Sequence, residues 1–504
     1  MGRRNIAPRQ REQSLKLRRR SRQTPPGHRM SASHDTLLLV VADGVRPDVL
    51  QAAMDAGELP RLAARAARGV STQISSCFPS VTGPAYTPFL MGRFPGRIGL
   101  PGLRWFDRSR KTASWPSYAR SYVGSEIRLL DDDLDLTSQT LLELATSSVA
   151  GSTLLGRGAR GVRHPGRGWM WAARAFLPHF RGDLVGWRRV EQQVVDRVLS
   201  HLRKDRPQFA VMSFLTPDKF AHAFGAQSAE VRRSLLDVDA FIGEVEDIAQ
   251  RDGWASRLHV WLVADHGHAD VTKHDELADA IRELGHRVLA HPKIFMRNPD
   301  VAVMVGGNAM AHVYVEPHHR TRPWWPMLSD RWESLHDAIL ARESVDLAAV
   351  AIDDHTVRVS HATRGSALIS HDAAVQRWSY TRITGDPLGI GRDAPLMSSA
   401  EAHEVCAHTD YPDAIVQLAD VTPALRGGDI LLSASVGWDL RDKYEPTPHR
   451  STHGALHREQ IMVPLIVDAV PDGTPRRTAD VMPSALVRLG LSVPDGLDGV
   501  SWIR

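Results

Sequence analysis

The stretch Thr36-Leu37-Leu38-Leu39-Val40-Val41-Ala42-Asp43-Gly44 decides the fold. Leu37 to Ala42 is an apolar run with no polar alternation, bounded by a turn signal, and this pattern predicts a strand buried on both faces. Asp43-Gly44 ends it. Helical spacing follows over residues 46–68, with Pro47 in the first turn, where a missing N–H costs nothing. The same strand–turn–helix order recurs downstream. Val190, Val194, Val195, Val198, Leu199 and Leu202 fall on one helical face of residues 186–204, ahead of a strand over 209–215 that runs into Thr216-Pro217-Asp218. A helical pattern over 229–249 leads to a strand at 259–264, which ends at Asp265-His266-Gly267. Strands alternating with helices predict an α/β fold whose central sheet is mostly parallel and covered by helices on both faces.

Around this core the chain divides further. A basic tail over residues 1–33 precedes a first core segment, 34–285, which carries a loop-rich insertion over 100–185. Residues 286–400 show strands at 311–315, 348–352 and 357–360 and a helix near 332–342, which predicts a smaller α+β insert or cap. Residues 401–504 then return to the core with strands at 429–434 and 462–467.

The chain has 504 residues, 42% hydrophobic and 24% charged, values of a folded globular protein rather than a disordered or collagen-like one. No apolar run approaches the ~20 residues of a membrane-spanning helix. Cys77 and Cys406 are the only cysteines, with no Cys-x-x-Cys, so a metal must be held by His, Asp or Glu. The first 30 residues carry ten Arg or Lys against the single Glu12, so the basic excess belongs to the tail and the remainder is net acidic. The tail lacks the apolar segment of a secretory signal, and no hydrophobic stretch follows Arg18-Arg19-Arg20, which predicts a cytoplasmic protein. It reads as a disordered extension ahead of Met30; contact with nucleic acid or an anionic membrane is the alternative.

Each predicted core strand ends in a carboxylate: Asp43 after the first, Asp218 with His222 after the second, Asp265 with His266 after the third. Strand ends converge on one crevice in an open parallel sheet, so these five side chains predict a metal site. The i, i+4 spacing of Asp218 and His222 lets both reach one ion. His453, between small residues in Ser451-Thr452-His453-Gly454, is a sixth candidate. Taken singly, a strand-end Asp is as often a helix N-cap and a lone His a surface residue; their joint position at strand ends makes the set. Three Asp and three His without Cys suit zinc or a similar divalent ion, with ligands enough for two. His268, His274, His403, His408 and His457 lack that context and read as outer-layer or surface residues. Thr82, followed by Gly83 and Pro84, stands where a helix would begin. Its hydroxyl is placed either to face metal and phosphate or to cap the helix.

These motifs resemble the alkaline phosphatase superfamily, and within it the nucleotide pyrophosphatase/phosphodiesterase branch. Val41-Ala42-Asp43-Gly44-Val45-Arg46-Pro47-Asp48 resembles the branch's opening metal strand, and Thr82, ten residues before Gly92, its nucleophile. Pro217-Asp218-Lys219-Phe220-Ala221-His222 resembles Pro-Asp-x-x-x-His, Ala264-Asp265-His266-Gly267 resembles Ser-Asp-His-Gly, and Thr452-His453-Gly454 the late His-Gly motif. The resemblance implies two zinc ions, one held by Asp218, His222 and His453, the other by Asp43, Asp265 and His266 with Thr82. It implies hydrolysis of a small phosphodiester or nucleotide through a covalent phospho-threonine. One departure is the lack of an asparagine closely following Thr82 to hold a phosphate oxygen. The Gly83 amide, Tyr86 and Lys219 are the candidate replacements, Gly83 and Tyr86 being taken as substrate-binding.

Three rival readings remain. Cys77-Phe78-Pro79-Ser80 superficially resembles a sulfatase motif, but Val81 stands where that motif has Arg. A phosphomonoesterase or phosphonate hydrolase would keep the same six ligands. An inactive metal-stabilised binding protein is the alternative outside enzymes. Trp105, Trp169, Trp171, Trp187 and Tyr380 are candidates to stack a base, each with an ordinary core role as the competing reading.

Overall fold

The computed structural model describes residues 34–115, 117–159, 163–167, 169–293, 295–441 and 443–504. The basic tail lies outside them. The core sheet has six strands: β1 Thr36–Ala42, β2 Val70–Ser75, β3 Ser148–Gly151, β4 Phe209–Phe214, β5 Leu258–Val263 and β6 Met462–Val467, in the order β2-β6-β5-β1-β4-β3. β3, β4, β1 and β5 are parallel neighbours, and β6 is antiparallel to both β5 and β2, so the sheet is mostly parallel as expected. Every residue of β1, β4 and β5 is buried. Because alternate side chains point to opposite faces, both faces are covered.

Helices cover this sheet and follow its strands: α5 Leu184–Asp205 packs on β3 and β4, α7 Ala229–Arg251 on β1 and β5, and α1 Pro47–Asp55 and α2 Pro60–Arg68 follow β1. The helical pattern over 46–68 is thus two helices. Gly57 takes φ +74° after the first, and Pro60 opens the second, where it needs no intrahelical N–H donor. The insertion over 100–185 holds more order than its composition suggests. It contributes edge strand β3 and the helix α4 Trp169–Phe180, besides the hairpin Arg104–Phe106/Ala119–Ser121.

A second sheet of nine strands lies between Val288 and Ala434, antiparallel except for the pairing of Val288–Ala290 with Val301–Gly306. Here the expectation for residues 429–434 is corrected. Ile430–Ala434 is a strand, but it pairs with Met310–Val315 and Val345–Ala351 in the middle of this second sheet instead of rejoining the core sheet. Its apolar pattern suits either sheet, and only backbone pairing decides. One face of this sheet packs on Trp325–Leu340, the other on Ala414–Val421 and on Cys77, Phe78 and Val81. The loop carrying Thr82 is therefore seated on the second sheet. Cys77 and Cys406 are both buried and unbridged.

Arg477 ties the closing segment to this layer. Its guanidinium donates to both carboxylate oxygens of Asp413, at 2.7 and 2.6 Å, both side chains being buried. Arg477→Met leaves Asp413 buried without its countercharge and is expected to cost about 3–5 kcal/mol, read as a lower urea midpoint at unchanged slope.

Candidate active site

The parallel register brings the strand ends level: Ala42 pairs with Phe214, and Val41 with Val263. The residues just beyond these ends are the predicted ligands. Asp43 follows β1, its N–H donating to the Phe214 carbonyl at 3.0 Å. Asp218 and His222 lie on α6, Thr216–Phe224, which starts one residue after Leu215, and Asp265 and His266 follow β5. The sixth candidate arrives by a different route. Ser451-Thr452 pairs antiparallel with Ala269-Asp270, which carries His453 alongside His266. The two imidazoles stack 3.6 Å apart.

The three histidines share one arrangement. Nδ1 lies 2.9 Å from the Ser451 carbonyl in His222, 3.1 Å from the Gly267 carbonyl in His266 and 3.0 Å from the Ser80 carbonyl in His453. A carbonyl only accepts, so Nδ1 carries the proton and Nε2 keeps its lone pair for the cluster, the tautomer of a metal ligand with an oriented outer shell. The His222 and His453 Nε2 atoms lie 3.3 and 3.6 Å from Asp218 Oδ1. The His266 Nε2 lies 3.5 Å from Asp43 Oδ1, 3.4 Å from Asp265 Oδ2 and 3.0 Å from Thr82 Oγ1. Thr82 Oγ1 is also 3.4 Å from Asp43 Oδ1. Thr82 precedes the short helix α3, Tyr86–Met91, by a further turn, so it opens onto the cavity rather than capping the helix.

Three carboxylates thus share one buried crevice. Burial, with the charges of Asp265 and Asp218, pushes the Asp43 carboxyl well above its usual range, and burial also raises Asp265. Burial alone would raise Asp218, but His222 and His268 outweigh it and hold it well below. Burial opposes charge on His222, yet Asp218 raises it above 6.5; burial and His266 push His453 well below that value. Asp265 Oδ2 has no hydrogen-bond partner among the described residues although fully buried. An orphaned carboxylate oxygen amid Nε2 lone pairs fits a divalent cation.

Other residues of the site come from tertiary contacts alone. His268 is buried with Nε2 3.0 Å from Asp218 Oδ1, and it joins Asp218, His266 and His453 in one group able to hold an ion, while Asp43, Asp265 and His266 form another. Gly44, at φ +71°, lets His268 in: a Cβ there would lie 2.7 Å from its Nε2. His449 stacks on His222 at 4.2 Å and meets Asp439 through Nδ1 at 3.1 Å. Asn308, from a hairpin of the second sheet, lines the cavity, and its amide donates to Asp439 and the Arg441 carbonyl. Tyr86 is fully buried with its hydroxyl 3.4 Å from Asp43 Oδ2, so it supports that carboxylate from behind. Gly83 is buried beside Leu154. Lys219 lines the cavity with its ammonium 3.9 Å from Asp218 Oδ2. Among the aromatic candidates, Trp171 and Trp187 line the cavity, Trp105 and Tyr380 are fully buried, and Trp169 is largely exposed.

Residues 37–456 match the family model of type I phosphodiesterase / nucleotide pyrophosphatase. The chain belongs to that family. Human ectonucleotide pyrophosphatase/phosphodiesterase 5 matches at a TM-score of 0.54 and 13% identity, over 92% of this chain and 96% of its own. Phosphonoacetate hydrolase from Sinorhizobium meliloti 1021, in complex with phosphonoformate, matches at 0.52 and 16%, over 92% and 98%. Both likenesses are of fold, a mixed α/β architecture shared over almost the whole of each chain. An uncharacterized pyrophosphatase/phosphodiesterase of Schizosaccharomyces pombe is 24% identical over 240 residues, 46% of this chain and 45% of that protein, so the match spans less than half of the relative. No helix among the described residues is long and apolar enough to cross a membrane.

The raised groups fix a pH dependence. Asp43, Asp265 and His222 hold protons above their ordinary pKa and must release them to bind a cation, whereas Asp218 is held as the carboxylate and His453 as the neutral imidazole with Nε2 unprotonated. Metal affinity is therefore expected to rise with pH, by about tenfold per unit for each proton displaced. Titration calorimetry in two buffers of different ionisation enthalpy checks this, the expected sign being net proton release.

Proposed function

We propose that this protein hydrolyses a phosphodiester or phosphoanhydride bond, with Thr82 as nucleophile and two divalent metal ions, zinc by the nature of the donors, as cofactors. The observation that carries this reading is the Thr82 hydroxyl, within 3.4 Å of both His266 Nε2 and Asp43 Oδ1 at the floor of an open cavity. Asp43, Asp265 and His266, with Thr82, would hold one ion, and Asp218, His222 and His453 the other; the all Asp/His donor set suits zinc. When bound, such ions acidify a nearby hydroxyl and neutralise phosphate charge.

The chain's own groups supply the rest. Thr82 Oγ1 gives its proton to solvent in the open cavity and attacks phosphorus in line; the Oγ1–P bond forms as the bond to the leaving oxygen breaks, that oxygen taking a proton from solvent, giving a phospho-threonine. Water then attacks the phosphorus, frees Thr82 and leaves configuration retained after two inversions. The Lys219 ammonium supports the negative phosphate, standing where no asparagine closely follows Thr82.

p-Nitrophenol release from bis(p-nitrophenyl) phosphate and p-nitrophenyl phosphate, by the zinc-loaded protein and its Thr82→Ala variant, tests the reading. The expected result is preference for the diester and a loss of about 10³-fold or more in kcat for Thr82→Ala, with zinc still bound. Preference for the monoester would assign a phosphomonoesterase, and cleavage of phosphonoacetate instead of either ester a phosphonate hydrolase. Zinc binding without any turnover would assign a binding protein.

A further inference from the structure

The helix α4 is apolar along its length, yet none of its residues is buried. A helix of three turns is marginal in water and is normally held by burying its apolar stripe. Here the inner side alone is packed, with Trp171 against the core. Trp169, Phe176 and Phe180 fall at i, i+7 and i+11 on the outer arc, and Met170 and Leu177 run along the adjoining line. Trp169 is 81%, Met170 56% and Leu177 50% exposed, and none of the three lines the cavity of the active site, so that cavity does not account for them. Phe176 and Phe180, rings 4.4 Å apart, are comparably open beside it. Five such side chains leave on the order of 500 Å² of apolar surface uncovered, the extent that marks an interaction site.

Charge decides what covers it. Residues 157–189 hold eight Arg against the single Asp183, in a chain that is net acidic outside its tail. Asp183 is taken up as the N-cap of α5, where it accepts from the Gly186 amide at 2.8 Å. Arg157, Arg167 and Arg188 pair with Glu143, Asp131 and Asp237. Arg163, Arg174, Arg181 and Arg189 are exposed and make no ion pair among the described residues. The Arg181 N–H donates to the Leu177 carbonyl at 3.1 Å and so continues the turn, which puts Arg174 and Arg181, seven residues apart, on one flank of the apolar arc. A second copy of the chain would bring the same Arg row to the contact with no carboxylate to meet it. A protein partner makes about one hydrogen bond per 100–200 Å², whereas the outer arc offers one side-chain donor, the Trp169 indole. A lipid surface asks for no directional partner and supplies phosphates to Arg. Twelve residues span about 18 Å, too short to cross a bilayer and suited to lie in its plane. We infer that α4 docks the protein on an anionic lipid surface, its apolar arc in the acyl boundary and Arg174 and Arg181 on headgroup phosphates. Docking of this kind holds whichever ester the Asp/His site cleaves.

The test is co-sedimentation of the full chain with sucrose-loaded vesicles of phosphatidylcholine, alone or with about a third phosphatidylglycerol. The basic tail attracts the same surface, so variants that keep the tail carry the comparison. Wild type is expected to bind the anionic vesicles at least about tenfold more tightly than the neutral ones. Trp169→Ser combined with Leu177→Ser is expected to weaken that binding by about tenfold or more, and Arg174→Gln combined with Arg181→Gln by about fivefold per Arg. All four positions are exposed, so an unchanged urea midpoint accompanies both losses. In about 0.5 M salt, which screens the tail, wild type is expected to keep more binding than the Trp169→Ser, Leu177→Ser variant. Absence of wild-type binding to the anionic vesicles would overturn the inference. So would equal binding by wild type and that variant, which would leave the tail as the contact. A dimer in sedimentation velocity that the same variant dissolves, with no vesicle binding, would overturn it in favour of a second copy.

Discussion

Three buried carboxylates at the ends of parallel strands are the constraint on which the rest of the site depends. Asp43, Asp218 and Asp265 lie in one crevice, where their mutual repulsion and burial would be costly without compensating cations. The sheet imposes this because its register makes β1, β4 and β5 end level. Compensation comes in two layers. Imidazoles face the carboxylates through Nε2, and backbone carbonyls of Ser451, Gly267 and Ser80 fix the opposite edge of each ring. Those carbonyls belong to segments far apart in the chain, so the geometry of the cluster is a property of the whole fold.

The second sheet contributes more to that geometry than its distance along the chain suggests. Phe78 and Val81 pack into its core, which seats the Thr82 loop. Gly307 and Asn308, on one of its hairpins, press against His453: a Cβ at Gly307 would lie 2.6 Å from the His453 carbonyl oxygen. The His453 segment is thus held between the Thr82 loop, through the Ser80–Gly454 bridge, and this hairpin, through the Asn308–His453 bridge. Movement of either sheet against the other would shift Thr82 relative to Asp43.

What the sequence discloses is what periodicity and termination encode. The apolar runs ahead of Asp43, Asp218 and Asp265 mark strands, and a residue just past a strand has its position set by the sheet, so the clustering of Asp43, Asp218, His222, Asp265 and His266 is readable, while His453 and Thr82 are read from their local motifs. His268 is not, although buried in the same cluster, because its place depends on Gly44 giving room and on the chain turning back into the strand Ala269–His274. His449 and Asn308 depend likewise on contacts between distant segments. Strand Ser148–Gly151 has four residues, too few for an alternation to register. Ile430–Ala434 is readable as a strand but not as a member of either sheet, since periodicity reports burial and says nothing of which backbone is the partner. Tyr86 shows the same limit: its nearness to Thr82 in sequence suggests substrate contact, while packing turns it toward the back of Asp43.

The central claim is that the Asp/His crevice is a two-ion centre built by its own outer shell. Diffraction from zinc-soaked crystals, recorded on both sides of the zinc absorption edge, tests it most directly. Two anomalous peaks about 3.5–4 Å apart, one against Asp43, Asp265 and His266 and one against Asp218, His222 and His453, are the predicted result. A single peak shared among the three carboxylates, or none at full zinc saturation, would contradict the account.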